Sequence, residues 1–279
     1  MGAKKLLCFG YGYTARAFVR RLGPEWSVIA TTQDGRDGTL RFDRAHPLPD
    51  ETFEGITHAL VSVPPDDKGD PVRDLHGANL AGLKELRWLG YLSTTGVYGT
   101  RDGGWVDEMS ELRPTGERGA RRAAAETAWH DLSSEYRVPV HIFRLAGIYG
   151  PGRGGFDALR AGTAKRVDAG AQKFSRIHVD DVGNVLQASV AKPRPGAIYN
   201  VCDDEPAAQE QVIAYAAKLL GVEPPPLVPL AEADLSPVAR SFYANNKRVS
   251  NALIKRELGV TLRYPNYRAG LNAILAAGG

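Results

Sequence analysis

Gly10, Gly12 and Ala15, in the string Phe9-Gly10-Tyr11-Gly12-Tyr13-Thr14-Ala15, are spaced to hold a diphosphate. The first glycine can take a tight turn, the second lets the backbone approach a phosphate, and a small third residue lets a helix pack closely on a strand. A helix opening at Tyr13 and Thr14 would turn free N–H groups toward the same point, which suits an anion. Such a string also occurs by chance, so its meaning depends on its flanks. Here the apolar run Leu6-Leu7-Cys8-Phe9 precedes it, and Ala15, Phe18, Val19 and Leu22 follow at helical spacing. Gly23-Pro24 then closes the helix before a second strand signal around Ser27 to Thr31. Strand, glycine turn and helix together predict the entry to a dinucleotide-binding βαβ unit.

Elements able to support such a site recur along the chain. Strand signals fall at 40–42, 58–63, 91–93, 138–145 and 197–202, and helical patterns at Val72, Leu75, Leu80, Leu83 and Leu86, across 120–132, and at Val182, Val185, Leu186 and Val190. Alternation of this kind predicts an α/β fold, a doubly wound, mostly parallel Rossmann-type sheet. Beyond Phe156 the strands thin out and prolines 224–226 and 229 break the chain between helices. The expected division is a dinucleotide-binding domain over residues 1–165 and a smaller, mainly helical, substrate-side part over 166–279. Residues 197–202 are expected to return to the main sheet.

Composition narrows the function classes. The chain has 279 residues and a formal net charge of +3, its basic residues spread without a dense run, which disfavours nucleic-acid binding. No stretch is long and apolar enough to span a bilayer. The start, Met1-Gly2-Ala3-Lys4-Lys5, runs straight into the first strand without room for a signal peptide, so a cytoplasmic protein is expected. Cys8 and Cys202 fall inside predicted strands and form no metal-ligand spacing, so two reduced thiols and no metal are expected. The expected partner is a small-molecule substrate, and helices flanking a doubly wound sheet also allow a homodimer.

Four later segments carry a family resemblance. Leu92-Ser93-Thr94-Thr95-Gly96-Val97-Tyr98-Gly99, Arg144 to Gly152, Ile177-His178-Val179-Asp180-Asp181, and Tyr199 to Pro206 resemble, in order, landmarks of the extended short-chain dehydrogenase/reductases, the NAD(P)-dependent epimerase/dehydratase group. The tail Lys247-Arg248-Val249-Ser250-Asn251, with Glu257-Leu258-Gly259 and Tyr264-Pro265-Asn266-Tyr267, resembles their atypical YeeZ-like branch.

The resemblance implies that Thr94 orients the substrate oxygen. It also implies a Tyr-x-x-x-Lys pair on the next helix, but counting back from Glu126 places Arg118 and Arg122 in those slots, with Arg121 between them. A guanidinium stays protonated and cannot exchange a proton with an alkoxide. Tyr98, Tyr149, His178, Glu117 or a water held by Thr94 remain as proton sources. Each also has an ordinary structural reading: packing for Tyr98 and Tyr149, a core histidine ahead of an Asp180 helix cap for His178, and solvation for Glu117. Arg118, Arg121 and Arg122 share one helix face, which either meets solvent or, at Arg118 and Arg122, binds an anionic substrate group. His178 joins them as a candidate substrate residue.

Cofactor choice turns on the end of the second strand, where an acid would take the ribose hydroxyls of NAD and a base the phosphate of NADP. The sequence there is Thr31-Thr32-Gln33-Asp34-Gly35-Arg36. Thr32, Gln33 and Arg36 can hold a phosphate, which favours NADP and leaves NAD open. Asp43 matches the family's adenine-side acid, and Ser62, Val63 and Pro64 lie where the fourth strand meets the cofactor. The expected function is an oxidoreductase or epimerase-like protein that transfers a hydride to or from a small polar substrate, anionic if Arg118 and Arg122 bind it. The alternative is a catalytically silent NAD(P)-binding sensor. Dehydratase chemistry is disfavoured, because Thr95 and Gly96 stand where the family's dehydratases carry acids.

Overall fold

In the computed structural model, which describes residues 4–278, the apolar runs pair side by side in parallel. Met1, Gly2 and Ala3, on which the reading of the chain's start rests, lie outside the described residues. The strands are β1 (Lys4–Phe9), β2 (Trp26–Thr32), β3 (Leu40–Arg41), β4 (His58–Val61), β5 (Trp88–Thr94), β6 (Trp105–Val106) and β7 (Val140–Leu145). They are followed by β8 (Gly147–Tyr149), β9 (Arg166–Asp168), β10 (Arg176–His178), β11 (Ile198–Val201), β12 (Leu227–Pro229) and β13 (Arg248–Val249). Seven make the central sheet in the order β11-β7-β5-β4-β1-β2-β3, each neighbouring pair parallel. The order reverses at β1, so a crevice opens beyond the C-terminal ends of β1 and β4, where such sheets bind ligands.

The helices are α1 (Tyr13–Val19), α2 (Pro71–Gly82), α3 (Glu117–Tyr136), α4 (Phe156–Arg160), α5 (Val179–Ala191), α6 (Gln209–Leu220), α7 (Pro237–Tyr243) and α8 (Tyr267–Ala276). Alternate residues of one strand feed different layers. Leu6 and Cys8 pack with Ala15, Phe18, Val182 and Leu186 of α1 and α5, whereas Leu7 and Phe9 pack with Val72 and Trp129 of α2 and α3. A strand covered on both faces must be apolar throughout, which explains the unbroken run at the start of the chain.

Two expectations are corrected here. The helix over Val72 to Leu86 ends at Gly82, because Leu83 leaves helical geometry (φ −78°, ψ 100°). Leu83 and Leu86 still pack on the core from the turn that follows. The chain after residue 165 also holds more strand than expected: β10 pairs with β8, β12 with β9, and β13 with β6. It re-enters the sheet's layers through β11, beside β7, and through α5, where Arg21 Nε donates to Asn184 Oδ1 at 2.9 Å.

Two histidines are buried neutral in this frame. His58 meets the Trp26 ring edge-on, and His141 stacks on Trp88 while its Nε2 accepts from the Arg194 N–H at 2.8 Å. Burial pushes both pKa values down to about 4. A lowered histidine pKa means that stability is complete above the unfolded value near 6.5 and falls as pH drops toward 4. His141 alone should remove roughly 2 kcal/mol by about pH 4.5. Urea midpoints at neutral and acid pH should therefore separate, and His141→Gln should reduce the separation. A pH-independent midpoint would contradict the buried neutral state.

Candidate functional site

The glycine turn is fastened by the strands beside it. Gly10 has φ +87°, and a Cβ there would lie 2.8 Å from Ser62 Oγ. The Ser62 hydroxyl donates to the Gly10 carbonyl at 2.5 Å, and the Gly10 N–H donates to Thr31 Oγ1 at 3.0 Å. Gly12 is different. It precedes α1 with φ −88°, and a Cβ added there meets nothing within 4 Å. The protein itself leaves that space open, as a cradle for a closely approaching ligand would require. Ala15 is fully buried at the contact of α1 with β1.

Gly12, Tyr13, Thr14 and Ser62 form one wall of a cleft of about 280 Å³, and Thr94, Arg122 and Arg153 stand on its other walls. Among the described residues lining it there is no carboxylate, histidine, lysine or cysteine, so its formal charges are the two guanidinium groups. The arrangement attracts anions and offers few groups that titrate near neutrality.

Thr94 ends β5 and caps the short turn Thr95–Tyr98, its Oγ1 accepting the Gly96 N–H at 3.1 Å. That bond orients the hydroxyl and leaves its proton free for another acceptor. Arg122 is carried into the cleft by α3. Its Nη1 donates to Tyr91 Oη at 3.1 Å and to the Leu92 carbonyl, and its guanidinium lies 5.5 Å from the centre of the Tyr91 ring. The result is a fixed positive charge on the wall that also carries Thr94.

Behind that wall runs a buried polar chain. Ser93 Oγ donates to Glu126 Oε1 at 2.5 Å, and Arg144 grips Glu126 through Nε at 3.1 Å and Nη2 at 2.7 Å. Arg144 Nη1 donates to Tyr98 Oη at 2.8 Å, and that hydroxyl donates to Asn200 Oδ1 at 2.8 Å. Burial pushes the Tyr98 hydroxyl up to about 12. Tyr98 is therefore a fully buried packing and bridging residue, and the expectation that it supplies a proton is set aside.

Other candidates are also placed away from the cleft. Arg118 is exposed in the first turn of α3, and Glu117 is paired with Arg121. The Tyr149 hydroxyl donates to the Asn266 carbonyl at 3.3 Å, packed against α8, which removes the role expected for it beside Thr94. His178 is 2% exposed between the rings of Tyr149 (5.2 Å) and Tyr264 (4.1 Å), and burial lowers its pKa. Its Nδ1 accepts the Asp180 N–H at 3.1 Å, so His178 caps α5 in place of the Asp180 cap expected and is not positioned for substrate.

The residues assigned to the cofactor's far end lie on the same edge of the sheet, beyond the cleft lining. Thr32 Oγ1 meets Thr39 Oγ1 at 2.7 Å in the loop after β2, where Gln33 and Arg36 are exposed and Arg36 lies 3.5 Å from Asp34. Asp43 accepts the Ala45 N–H and faces His46 Nδ1, both at 2.8 Å, and His46 first among its neighbours holds its carboxyl below the usual range. Val63 and Pro64 continue from β4. Sequence reasoning missed Arg153, whose guanidinium lies 5.1 Å from the Tyr13 ring centre. The cation following Gly150-Pro151-Gly152 at a strand end was its available signal. Among the described residues no His, Cys, Asp and Glu cluster could hold a metal, and no helix is long and apolar enough to cross a membrane.

A model of the NAD dependent epimerase/dehydratase family matches residues 76–202. Protein YeeZ of Escherichia coli (strain K12) is 29% identical, over 94% of this chain and 97% of its own length. A functionally unknown conserved protein from Silicibacter pomeroyi DSS superposes with a TM-score of 0.92 at 49% identity, over 98% of this chain and 99% of that one. A dTDP-glucose 4,6-dehydratase from Bacillus anthracis str. Ames, solved in complex with NAD, superposes with a TM-score of 0.76 at 17% identity, over 98% and 96%. The last comparison shows a common fold.

Proposed function

We infer that this chain is an atypical member of the NAD dependent epimerase/dehydratase family, on the match of that family's model to residues 76–202 and the 29% identity to YeeZ. We propose that its cleft binds a nicotinamide dinucleotide beside a small anionic substrate and that the protein is an oxidoreductase or epimerase working by hydride transfer. One observation carries this reading. The open cradle at Gly12 and the Thr94–Arg122 wall face a single cleft that, among the described residues, no carboxylate lines.

In this reading Gly10, Gly12, Tyr13, Thr14 and Ala15 form the diphosphate turn, Ser62, Val63 and Pro64 flank it, and Asp43 meets the adenine side. Thr32, Gln33 and the exposed Arg36 take the extra phosphate of NADP, there being no acid at the end of β2. The bound dinucleotide supplies or accepts the hydride. Thr94 donates a hydrogen bond to the substrate oxygen, and Arg122 stabilises the negative charge that develops on it. The Tyr13 hydroxyl donates to the Pro151 carbonyl at 2.9 Å and has its pKa raised by burial. It is poorly placed to release a proton, which instead comes from water through the Thr94 hydroxyl.

Arg122→Ala tests the assignment. Loss of a charge-assisted contact should lower kcat/KM on small keto acids by roughly tenfold to a hundredfold. NADPH affinity should stay within about twofold, since Arg122 is assigned to the substrate. An unchanged kcat/KM would remove Arg122 from the mechanism. That the described residues lining the cleft offer few groups titrating near neutrality also favours a second reading, an NAD(P) sensor. NADPH binding without turnover across a broad carbonyl panel would select it.

A further inference from the structure

Arg16 links the glycine turn to the loop that follows β2. It stands on α1, where its Nε donates to the Tyr11 carbonyl at 3.2 Å and its Nη2 donates to Asp37 Oδ2 at 3.3 Å. Its guanidinium lies 5.3 Å from the centre of the Tyr11 ring. Tyr11 is itself tied to the end of β2, its N–H donating to the Thr31 carbonyl at 2.7 Å. One side chain thus spans the interval between glycine turn and second strand, which in a sheet of this kind receives the adenosine ribose.

The loop meets that cation with an acid. Asp37 is held at φ +54° between Gly35 at φ +70° and Gly38 at φ +72°, and these left-handed residues turn the chain back to α1. Arg36 and Arg41 have aspartates of their own, Asp34 at 3.5 Å and Asp43 at 3.4 Å. Arg16 differs from both, because the glycine turn fixes its position. Its ion pair is weak by contrast: the Arg16 and Asp37 side chains are 44% and 63% exposed, and a pair so open to water contributes little. A phosphate, with more charge and more acceptor oxygens, can displace the carboxylate.

We propose that Arg16 selects the cofactor. Its guanidinium takes the extra phosphate of NADP in exchange for Asp37, closing on it from α1 while Thr32, Gln33 and Arg36 meet it from the loop. Asp37 is the competitor: its like charge opposes that phosphate, and with NAD it keeps its hold on Arg16. The inference rests on the dinucleotide reading given above and deepens it, since it makes one ion pair the determinant of NADP against NAD.

The test measures NADPH and NADH affinities separately on the full chain by calorimetry, with thermal melts to verify folding. Arg16→Ala should weaken NADPH by about tenfold to a hundredfold and NADH by less than about twofold, whereas Arg16→Lys should retain part of the preference. Asp37→Asn should strengthen NADPH by about twofold to fivefold. Adenosine 2′,5′-bisphosphate, which carries the extra phosphate without the nicotinamide, should lose affinity in Arg16→Ala by the same factor as NADPH. ADP should not. Wild-type protein that binds neither dinucleotide overturns the dinucleotide reading and this inference with it. Wild-type protein that binds, with an Arg16→Ala variant that loses both dinucleotides equally or loses neither, overturns this inference alone.

Discussion

Gly12→Val is expected to cost dinucleotide affinity roughly tenfold to a hundredfold while leaving the fold almost intact. The two halves of this expectation come from the same geometry. A Cβ at Gly12 meets no protein atom within 4 Å, and φ −88° is accessible to any residue, so the added side chain strains nothing in the free protein. Valine is a poorer residue at a helix start, which should reduce stability by about 1 kcal/mol or less. On the proposed reading, the branched side chain fills the space through which the diphosphate approaches. Gly10→Val provides the contrast, because φ +87° and a Ser62 oxygen 2.8 Å from the new Cβ make it destabilising before any ligand is added. Thermal melts and NADPH fluorescence titrations on both variants separate the effects. Wild-type affinity in a folded Gly12→Val protein would show that the diphosphate lies elsewhere.

The largest stability effect is expected at Glu126. Its carboxylate is held by two Arg144 nitrogens and by Ser93, with Glu126 and Arg144 4% and 3% exposed. Glu126→Ala leaves the Arg144 guanidinium charged, buried and without its counter-ion, an arrangement that costs about 3–5 kcal/mol. Replacing the pair together, as Glu126→Leu with Arg144→Met, should recover a large part of that loss, because an apolar pair has no charge to desolvate. Urea denaturation measures both proteins. A loss below about 1 kcal/mol in Glu126→Ala would mean that the charge finds water or another partner. The effect also reaches the site: Ser93 adjoins Thr94, and Arg144 holds Tyr98 in the turn that Thr94 caps. Surviving Glu126→Ala protein should therefore lose turnover beyond its loss of folded fraction.

Local spacing made the opening unit readable, because the strand, glycine turn and helix pack against one another within a few residues. The parallel sheet was readable for a related reason, since strands covered on both faces must be apolar throughout. Pairings between distant segments were not readable in the same way. Nothing in the residues around Tyr149 and His178 shows that α8 closes over them, yet that packing takes Tyr149 onto Asn266 and leaves His178 as a helix cap. Arg118 and Arg122 share a helix face one turn apart, but the first turn of α3 meets solvent while the second lies against Tyr91. Arg153 is directed by the Tyr13 ring, far from it in the chain, and escaped a reading based on neighbours in sequence. The Glu126–Arg144 pair joins α3 to β7, and the landmarks containing the two residues did not reveal that they meet.

A crystal structure with NADP bound tests the central claim most directly. The account expects the diphosphate against Gly12, the extra phosphate near Arg36, and the nicotinamide in the cleft facing Thr94 and Arg122. A dinucleotide bound outside that cleft, or a nicotinamide turned away from Thr94, would contradict it.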